Sequence, residues 1–487
     1  MSGEEHGPSD LLAARRAKLE RLRAEGVDPF PHEFDGVEPI AAVLAAHETL
    51  AAGEETEVAH RVAGRLAARR DAGRAAFLDL VDRSGRIQLH ARVDELGEAG
   101  FERLVSLDLG DLVGVDGVAI RTRRGELSLR VSAFTLLAKS LRPPPDKHHG
   151  LSDVETRFRR RELDLLANED TRELFAARAR IISAVRRALD DDGFVEVETP
   201  VLQPLYGGGH ARPFTTHHNA LDRDLYLRVA TELYLKRAIV GGLERVYELG
   251  KDFRNEGVSP KHNPEFTMLE WYEAYADYED AAARLEAVVS AAAATVERPA
   301  IDFSPPWRRI TLREGVLEQT GIDIAAARSR EELVAAIAER GLALEVEGRT
   351  WAVLVDDLLS HHLEPTLQAP TFVFDYPVEL SPFAKNHRTQ AGLVERWEAY
   401  AGGIEIANAF SELNDPDEQR ARFVEQREAA AAGDEEAQPF DEAFLTALEQ
   451  GMPPTGGVGL GIDRLVMLLL GRDSIREVVL FPVMRDP

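Results

Sequence analysis

Apolar residues recur at helical spacing from Ser9 to about Arg23, with Leu11, Leu12, Leu19 and Leu22 on one face, so the chain opens on an amphipathic helix. Gly26 and the Pro29–Pro31 stretch end it, and a second, alanine-rich helix is predicted over Ile40–Ala51. The texture then changes. Between Val58 and Leu137 five short alternating runs (VAGRLAARR, AAFLDLVD, RIQLHARV, LVGVDGVAI and ELSLRVSAF) are split by turns such as Ser84-Gly85 and Arg124-Gly125, the pattern of a small β-barrel. Pro143–Pro145 and the polar residues after them read as a linker. Charged helical stretches over Asp153–Leu166 and Glu169–Asp190 lead into VEVETPVL, and strands and helices then mix to the end, as in one large α+β domain. Ala281–Ala294 reads as a surface helix and Ala429–Ala432 as part of a solvated one.

At 487 residues the chain has room for more than one core. No run of eighteen apolar residues is present, and the acidic start MSGEEHGPSDLL lacks the layout of a signal peptide. The absence of cysteine excludes disulfides and thiolate metal sites and suits a reducing cytoplasm. Net charge is −27, yet residues 58–147 hold 16 Lys and Arg against 12 Asp and Glu. A basic module inside an acidic chain fits one domain that meets a polyanion, although so small an excess also fits chance.

Three stretches carry chemistry. Residues 245–275, RVYELGKDFRNEGVSPKHNPEFTMLEWYEAY, read as a hairpin: strand alternation puts Arg254 with Glu256, and Phe266, Met268, Glu270 and Tyr272 on one face. Lys261, His262 and Asn263 lie in the loop, so one face offers cations, carboxylates and rings suited to an anionic nucleotide beside a cationic substrate. Taken alone, Arg-Asn-Glu also fits a surface ion pair. Residues 456–469, GGVGLGIDRLVMLL, place glycines before a helix that starts near Arg464, but they lack the Gly-Lys-Ser/Thr of a phosphate-gripping loop. In GGIEIANAFSELND, residues 402–415, Glu405 and Glu412 are hard-oxygen donors suited to Mg²⁺, or solvated surface acids. Their strand phases are opposite, since Glu412 goes with Asn408 and Phe410. Both face one site only if a bulge intervenes.

FRNE at 253–256, HNPEF at 262–266 and GLGIDRL at 459–465 resemble motifs 2 and 3 of the class II aminoacyl-tRNA synthetases, and Ile181–Leu202, ending in Thr199-Pro200, resembles motif 1. GHARPFTTHHNAL (209–221), YLRVATELYLKRAIVGGLERVYELGKDFRNEG (226–257), HNPEFTMLEWYEAYADY (262–278), NAFSELND (408–415) and the terminal LFPVMRDP narrow the resemblance to the bacterial lysine–tRNA ligases, from about residue 10 to the end. It implies an α+β chain: a helical extension over 1–57, an OB-fold anticodon-binding barrel over 58–145, a linker over 146–172, and a catalytic domain over 173–487 built on an antiparallel sheet flanked by helices. The partners implied are ATP, lysine, tRNA(Lys) and a second copy of the chain, with Mg²⁺ as cofactor and no membrane.

Carried over residue by residue, the resemblance gives Arg254 the α-phosphate and the lysine carboxylate, and sandwiches adenine between Phe266 and Arg464. It sets Glu256 at the adenine edge and His262 with Asn263 at the outer phosphates or ribose. Glu405 and Glu412 would hold the metal. Glu232 would take the α-ammonium, while Glu270, Tyr272 and Glu412 enclose the ε-ammonium, with Asn408 and Phe410 lining the pocket. Glu412 is thus claimed by both metal and substrate. In the barrel, Phe77 would be the stacking platform and Arg69, Gln88 and Glu126 the edge readers, against the simpler reading of Phe77 as core. Two positions depart from the family: Gly209-His210 replaces a pair of small residues, and Asp486 interrupts the terminal Met-Arg-Pro. The alternatives are a paralogue that ligates lysine to a protein, which lacks the barrel; a sister synthetase for aspartate or asparagine, which needs a cation facing its substrate; and a non-catalytic tRNA-binding protein, which need not keep Arg254, Glu405 and Arg464.

Overall fold

The computed structural model describes residues 8–145, 151–209, 211–381, 383–431 and 438–485; His210, Asp486 and the side chains of Ala429–Ala432 lie outside the described residues. The chain forms two compact units that meet at Ser152/Asp153.

In the first unit, strands β1 (Glu55–Ala72), β2 (Ala75–Val81), β3 (Arg86–Arg92), β4 (Leu112–Arg121) and β5 (Leu127–Ala138) close a barrel in the order β1-β2-β3-β5-β4. Alternation does the work: Leu78, Leu80, Ile87, Leu89, Val113, Val115, Leu129 and Val131 point inward and are buried, and the residues between them face out. Helix Pro8–Ala24 precedes the barrel, and helix Ile40–Ala46 seats Ile40 and Val43 in the barrel core. The second helix stops five residues before the predicted end, at His47. A helix over Val93–Ser106 is absent from the sequence reading: Gly97, at φ +68°, kinks it and breaks the periodicity that would have revealed it.

In the second unit an eight-stranded sheet runs β12-β13-β14-β15-β16-β11-β10-β6, where β6 is Val195–Glu196, β10 Arg245–Phe253, β11 Glu265–Ala274, β12 Arg308–Thr311, β13 Thr371–Pro377, β14 Leu393–Ala401, β15 Ile404–Ser411 and β16 Thr455–Gly461. A small sheet of β7 (Leu202–Gln203), β9 (Arg223–Leu227) and β8 (Thr215–His218) stands apart from it. The six inner strands are antiparallel, as expected, but β6 and β12 join the two edges in parallel, so the sheet is mixed. The helix Tyr278–Ala293 is not the surface helix predicted: its alanines pack closely on the sheet, burying Ala281, Ala282, Leu285, Val288, Val289 and Ala292. Part of the expected linker is also structured. Helices Val154–Arg159 and Arg161–Ala167 break at Arg160, and buried Arg161 binds Asp164 at 2.7 Å and the carbonyl of Leu480 at 2.9 Å, which ties this segment to the C-terminal end of the same unit.

The predicted bulge is present. Ala399 pairs with Ala407 but Tyr400 pairs with Glu405, so Ile406 is the extra residue. Ile406 turns into the core, and Glu405, Asn408 and Phe410 all face the cavity on the other side of the sheet.

Candidate active site

A cavity of about 360 Å³ opens on that face, walled by β11, β15 and β16 and by the loop between β10 and β11. It gathers Glu232, Arg254, Glu256, His262, Asn263, Phe266, Glu270, Tyr272, Glu405, Asn408, Phe410, Glu412 and Arg464, the whole set of catalytic-domain residues singled out in the sequence. The glycines of β16 form its floor rather than a phosphate loop. Gly457 lies between Tyr272 and Phe410 in the register, and Gly459 between Glu270 and Asn408. A Cβ on Gly457 would collide with Glu412 Oε1 and lie 2.5 Å from Tyr272 Cε1, so only glycine leaves room for those two side chains.

One end of the cavity is an acidic well. Glu232, Glu270 and Glu412 are 5%, 6% and 1% exposed, a degree of burial that carboxylates tolerate only with cationic or hydrogen-bonding partners. Glu270 accepts from the Thr231 amide and the Tyr272 hydroxyl, each at 3.2 Å. Burial first, and then the charges of Asp252 and Glu232, push Glu270 up to about 8. Burial likewise pushes Glu412 up to about 8 against the opposing pull of Lys236. Lys236, fully buried, places its ammonium 2.6 Å from Glu232 Oε1 and 2.5 Å from Glu412 Oε2. The sequence reading missed this lysine. The signal was the i,i+4 spacing of Glu232 and Lys236 on one helix, but its second partner comes from the far end of β15.

The other end is cationic. Strand β10 ends at Phe253, so Arg254 and Glu256 reach the cavity from the loop and not from a strand face. The Arg254 guanidinium lies 5.2 Å from the Phe266 ring centroid, and its Nε has no hydrogen-bond acceptor. In this structure Arg254, not Arg464, covers that ring. Arg464 instead donates to the Glu405 carbonyl at 2.8 Å and to Glu405 Oε2 at 3.0 Å, and approaches His262 Nε2 at 3.2 Å. Burial and the charges of Arg464, Arg254 and Lys261 lower the His262 pKa, so at neutral pH the ring is uncharged and its Nε2 accepts from Arg464. Its Nδ1 then donates to Ser259 Oγ at 2.8 Å. Asn263 is buried, with Nδ2 on the Glu265 carbonyl and Oδ1 without a donor. Asp463 fixes the helix that carries Arg464, accepting from the Thr267 amide at 2.8 Å and pairing with Arg178 at 2.6 Å.

Of the two acids expected to bind metal, Glu405 fits and Glu412 does not. The Glu405 side chain is 38% exposed at the cavity, whereas Glu412 is buried, paired with Lys236 through Oε2, and turns only Oε1 to the cavity. The sequence reading also missed Glu398, which lines the cavity from β14 opposite Asn408 and accepts from Arg396 at 2.5 Å, from Tyr376 at 2.8 Å and from Tyr400. Among the described residues no cluster of three or more His, Cys, Asp or Glu is arranged to hold a metal. That still leaves room for Mg²⁺, which binds through one or two carboxylates plus substrate phosphates.

A cation-lined mouth above a buried acidic well suits an anionic nucleotide joined to a doubly cationic amino acid. Residues 153–485 match the model of class II tRNA synthetases for D, K and N, and residues 60–137 match an OB-fold nucleic-acid-binding domain. The lysine–tRNA ligase of Roseiflexus castenholzii is 51% identical over 487 residues, covering 98% of this chain and 99% of that one. Those of Chloroflexus aurantiacus, 51% identical over 98% and 99% of the two chains, and Pelotomaculum thermopropionicum, 47% over 99% and 96%, align as fully. The chain belongs to the lysine–tRNA ligase family.

In OB-folds the face formed by the second and third strands binds oligonucleotides, so the outer face of β1–β3 is the candidate surface. Phe77 is half-buried on that face and not in the core, stacked on His90 with centroids 4.9 Å apart and planes 4° from parallel. Gln88 lies on the same face, accepting from Ser128 Oγ at 3.1 Å, and Glu126 is exposed in the turn before β5. Arg69 does not join them. The register slips between Leu66 and Ala68, so Arg69 pairs with inward-facing Leu78 and donates to the Val105 and Leu107 carbonyls. Arg70 takes the place beside Phe77, 5.9 Å from its ring centroid.

Proposed function

We propose that this chain activates lysine with ATP and transfers it to the 3′ end of tRNA(Lys). The observation that carries the reading is the charge of the well. Once a bound lysine draws all three carboxylates into the ionised form, they carry, less the Lys236 ammonium, two negative charges, the number that its α- and ε-ammonium groups supply. Glu232 takes the α-ammonium, and Glu270, Tyr272 and Glu412 take the ε-ammonium beside Asn408 and Phe410. The substrate carboxylate then points toward Arg254.

The first step needs no side-chain nucleophile. A lysine carboxylate oxygen forms a bond to the α-phosphorus as the bond to pyrophosphate breaks, and Arg254 steadies the charge on the α-phosphate. Phe266 and Arg464 stack the adenine, Glu256 reads its edge, and His262 and Asn263 meet the outer phosphates or ribose. Mg²⁺, held by Glu405 and by phosphate oxygens, would supply charge neutralisation on the polyphosphate. In the second step a hydroxyl of the terminal tRNA ribose attacks the lysyl carbonyl and AMP leaves. The barrel reads the anticodon through Phe77, Gln88 and Glu126, with Arg70 more suitably placed than Arg69.

Two further features belong to this reading. The short edge strand β6 exposes Val195, and Leu243 and Tyr275, also exposed, line the same hollow, an apolar margin suited to a homodimer built on the motif 1 segment. Light scattering should give twice the chain mass. No helix among the described residues is long and apolar enough to cross a membrane, and the substrates place the protein in the cytoplasm.

Amino-acid-dependent exchange of pyrophosphate into ATP tests the activation step across the twenty amino acids. Lysine should be the one strong substrate; strong exchange with aspartate or asparagine would overturn the reading.

A further inference from the structure

We propose that Lys236 is a specificity-determining positioning residue: clamped between Glu232 and Glu412, its ammonium holds both carboxylates in place with their free oxygens toward the ligand, so that the well selects an amino acid with a cationic side chain over an uncharged one of similar length. The inference rests on the reading of the cavity as a lysine site.

Lys236 reaches the well from helix Glu232–Val240 and is 0% exposed, so it is not part of the surface that a substrate would touch first. Its ammonium has three N–H donors. One is spent on Glu232 Oε1, Glu412 Oε2 lies beside the ammonium as an ion pair, and the Phe383 ring, with its centroid 5.4 Å away, offers only its π face. Each of those carboxylates keeps one oxygen out of Lys236's grip. Glu412 Oε1 has no hydrogen-bond donor and lies over the bare Cα of Gly457, on the cavity side. Lys236 therefore orients the acid and leaves its free oxygen to the ligand.

The charged groups that face this triad come from several elements. Glu232 lies on the same helix, Glu412 just beyond β15, and Glu270 with Tyr272 on β11; Asp252 on β10 acts on Glu270 in turn. All but Lys236 are acidic or, in Tyr272, a phenol. Lys236 opposes the protonation of Glu412 that burial favours, and a protonated acid attracts an ammonium far less. A neutral Lys236 variant should lose affinity for lysine selectively, and high pH should restore part of it.

The test compares lysine with norleucine, whose side chain is similar in length but uncharged, in pyrophosphate exchange between pH 6.5 and 9.5. Lys236→Met and Lys236→Gln remove the charge, and Lys236→Arg keeps it. The neutral variants should lower kcat/KM for lysine at pH 7 at least thirtyfold and change that for norleucine less than threefold, with the rise of the lysine profile displaced to higher pH. Lys236→Arg should retain more of the preference for lysine than either neutral variant. Equal losses for both amino acids in a folded variant, or no loss for either, would overturn the proposal. So would failure of both neutral variants to fold, since Lys236 would then be a pillar of the fold. If the unmodified chain shows no lysine-dependent exchange, the lysine-site reading itself is what fails.

Discussion

Gly459 provides a sharp test of the cavity floor. Its missing side chain faces the space between Glu270 and Asn408, and an added methyl would meet nothing nearer than Glu270 Cγ at 3.9 Å and Met268 Sδ at 4.0 Å. The folded chain can therefore take Gly459→Ala without strain, and the loss of unfolded-state freedom should leave stability unchanged or raise it by about 0.4–1 kcal/mol. A bound amino acid, by contrast, would have to share its floor with the methyl. Overfilling a close-packed site costs roughly 1–3 kcal/mol, which at about 1.4 kcal/mol per tenfold raises the KM for lysine about 5- to 150-fold. Arg254, Phe266 and Arg464 are not touched, so the KM for ATP should hold. Pyrophosphate exchange with each substrate varied in turn, beside a thermal melt, reads all three quantities. An unchanged lysine KM in the folded variant would refute the placement of the substrate. Gly457→Ala is the contrasting case: its methyl strikes Glu412 and Tyr272, so stability and lysine binding should fall together.

Glu270→Gln should weaken lysine binding by about 2–4 kcal/mol, because it removes a buried carboxylate from an ammonium, and should leave ATP binding nearly intact; calorimetric titration of each ligand checks the split. Glu270 and Glu412 are pushed up to about 8 by burial, so their protonated forms stabilise the empty fold. The sign follows from linkage: a raised folded-state pKa gives stability that is complete below the unfolded value and is lost as pH climbs through 8. Melting of the free protein should fall between pH 6 and 9, and the stabilisation added by saturating lysine should grow over the same range; a flat profile for both contradicts the burial argument. Phe77→Ala should raise the KM for tRNA about 5- to 150-fold, the equivalent of a stacking platform worth roughly 1–3 kcal/mol, and leave lysine-dependent exchange unchanged. Loss of both activities would mean that the residue is structural.

Much of the site was legible because its residues sit in short contiguous stretches whose parity can be read. Phe266, Glu270 and Tyr272 share a face of β11, and the conflict in phase between Glu405 and Glu412 pointed to the bulge at Ile406. What was not legible depended on events between distant stretches. The role of Lys236 is set by Glu412 on another element, and Glu398 enters from the neighbouring strand β14. One residue inserted in β1, between Leu66 and Ala68, puts Arg70 and not Arg69 in the rung beside Phe77, a slip that no local pattern announces. Alanine misled at Tyr278–Ala293, since small side chains pack a helix tightly on a sheet without marking a hydrophobic stripe. Local pattern says nothing about which strands close a sheet, and so the parallel edges β6 and β12 were not foreseen.

The central claim is that this chain esterifies lysine to its tRNA, and direct charging tests it most plainly. The purified protein would be incubated with ATP, Mg²⁺, radiolabelled lysine and unfractionated tRNA, and the acid-precipitable label would be assigned to individual tRNA species. The account predicts alkali-labile lysine on tRNA(Lys) alone, with charging lost when Arg254 is replaced by alanine. Lysine-dependent exchange without transfer to RNA, or transfer of a different amino acid, would contradict it.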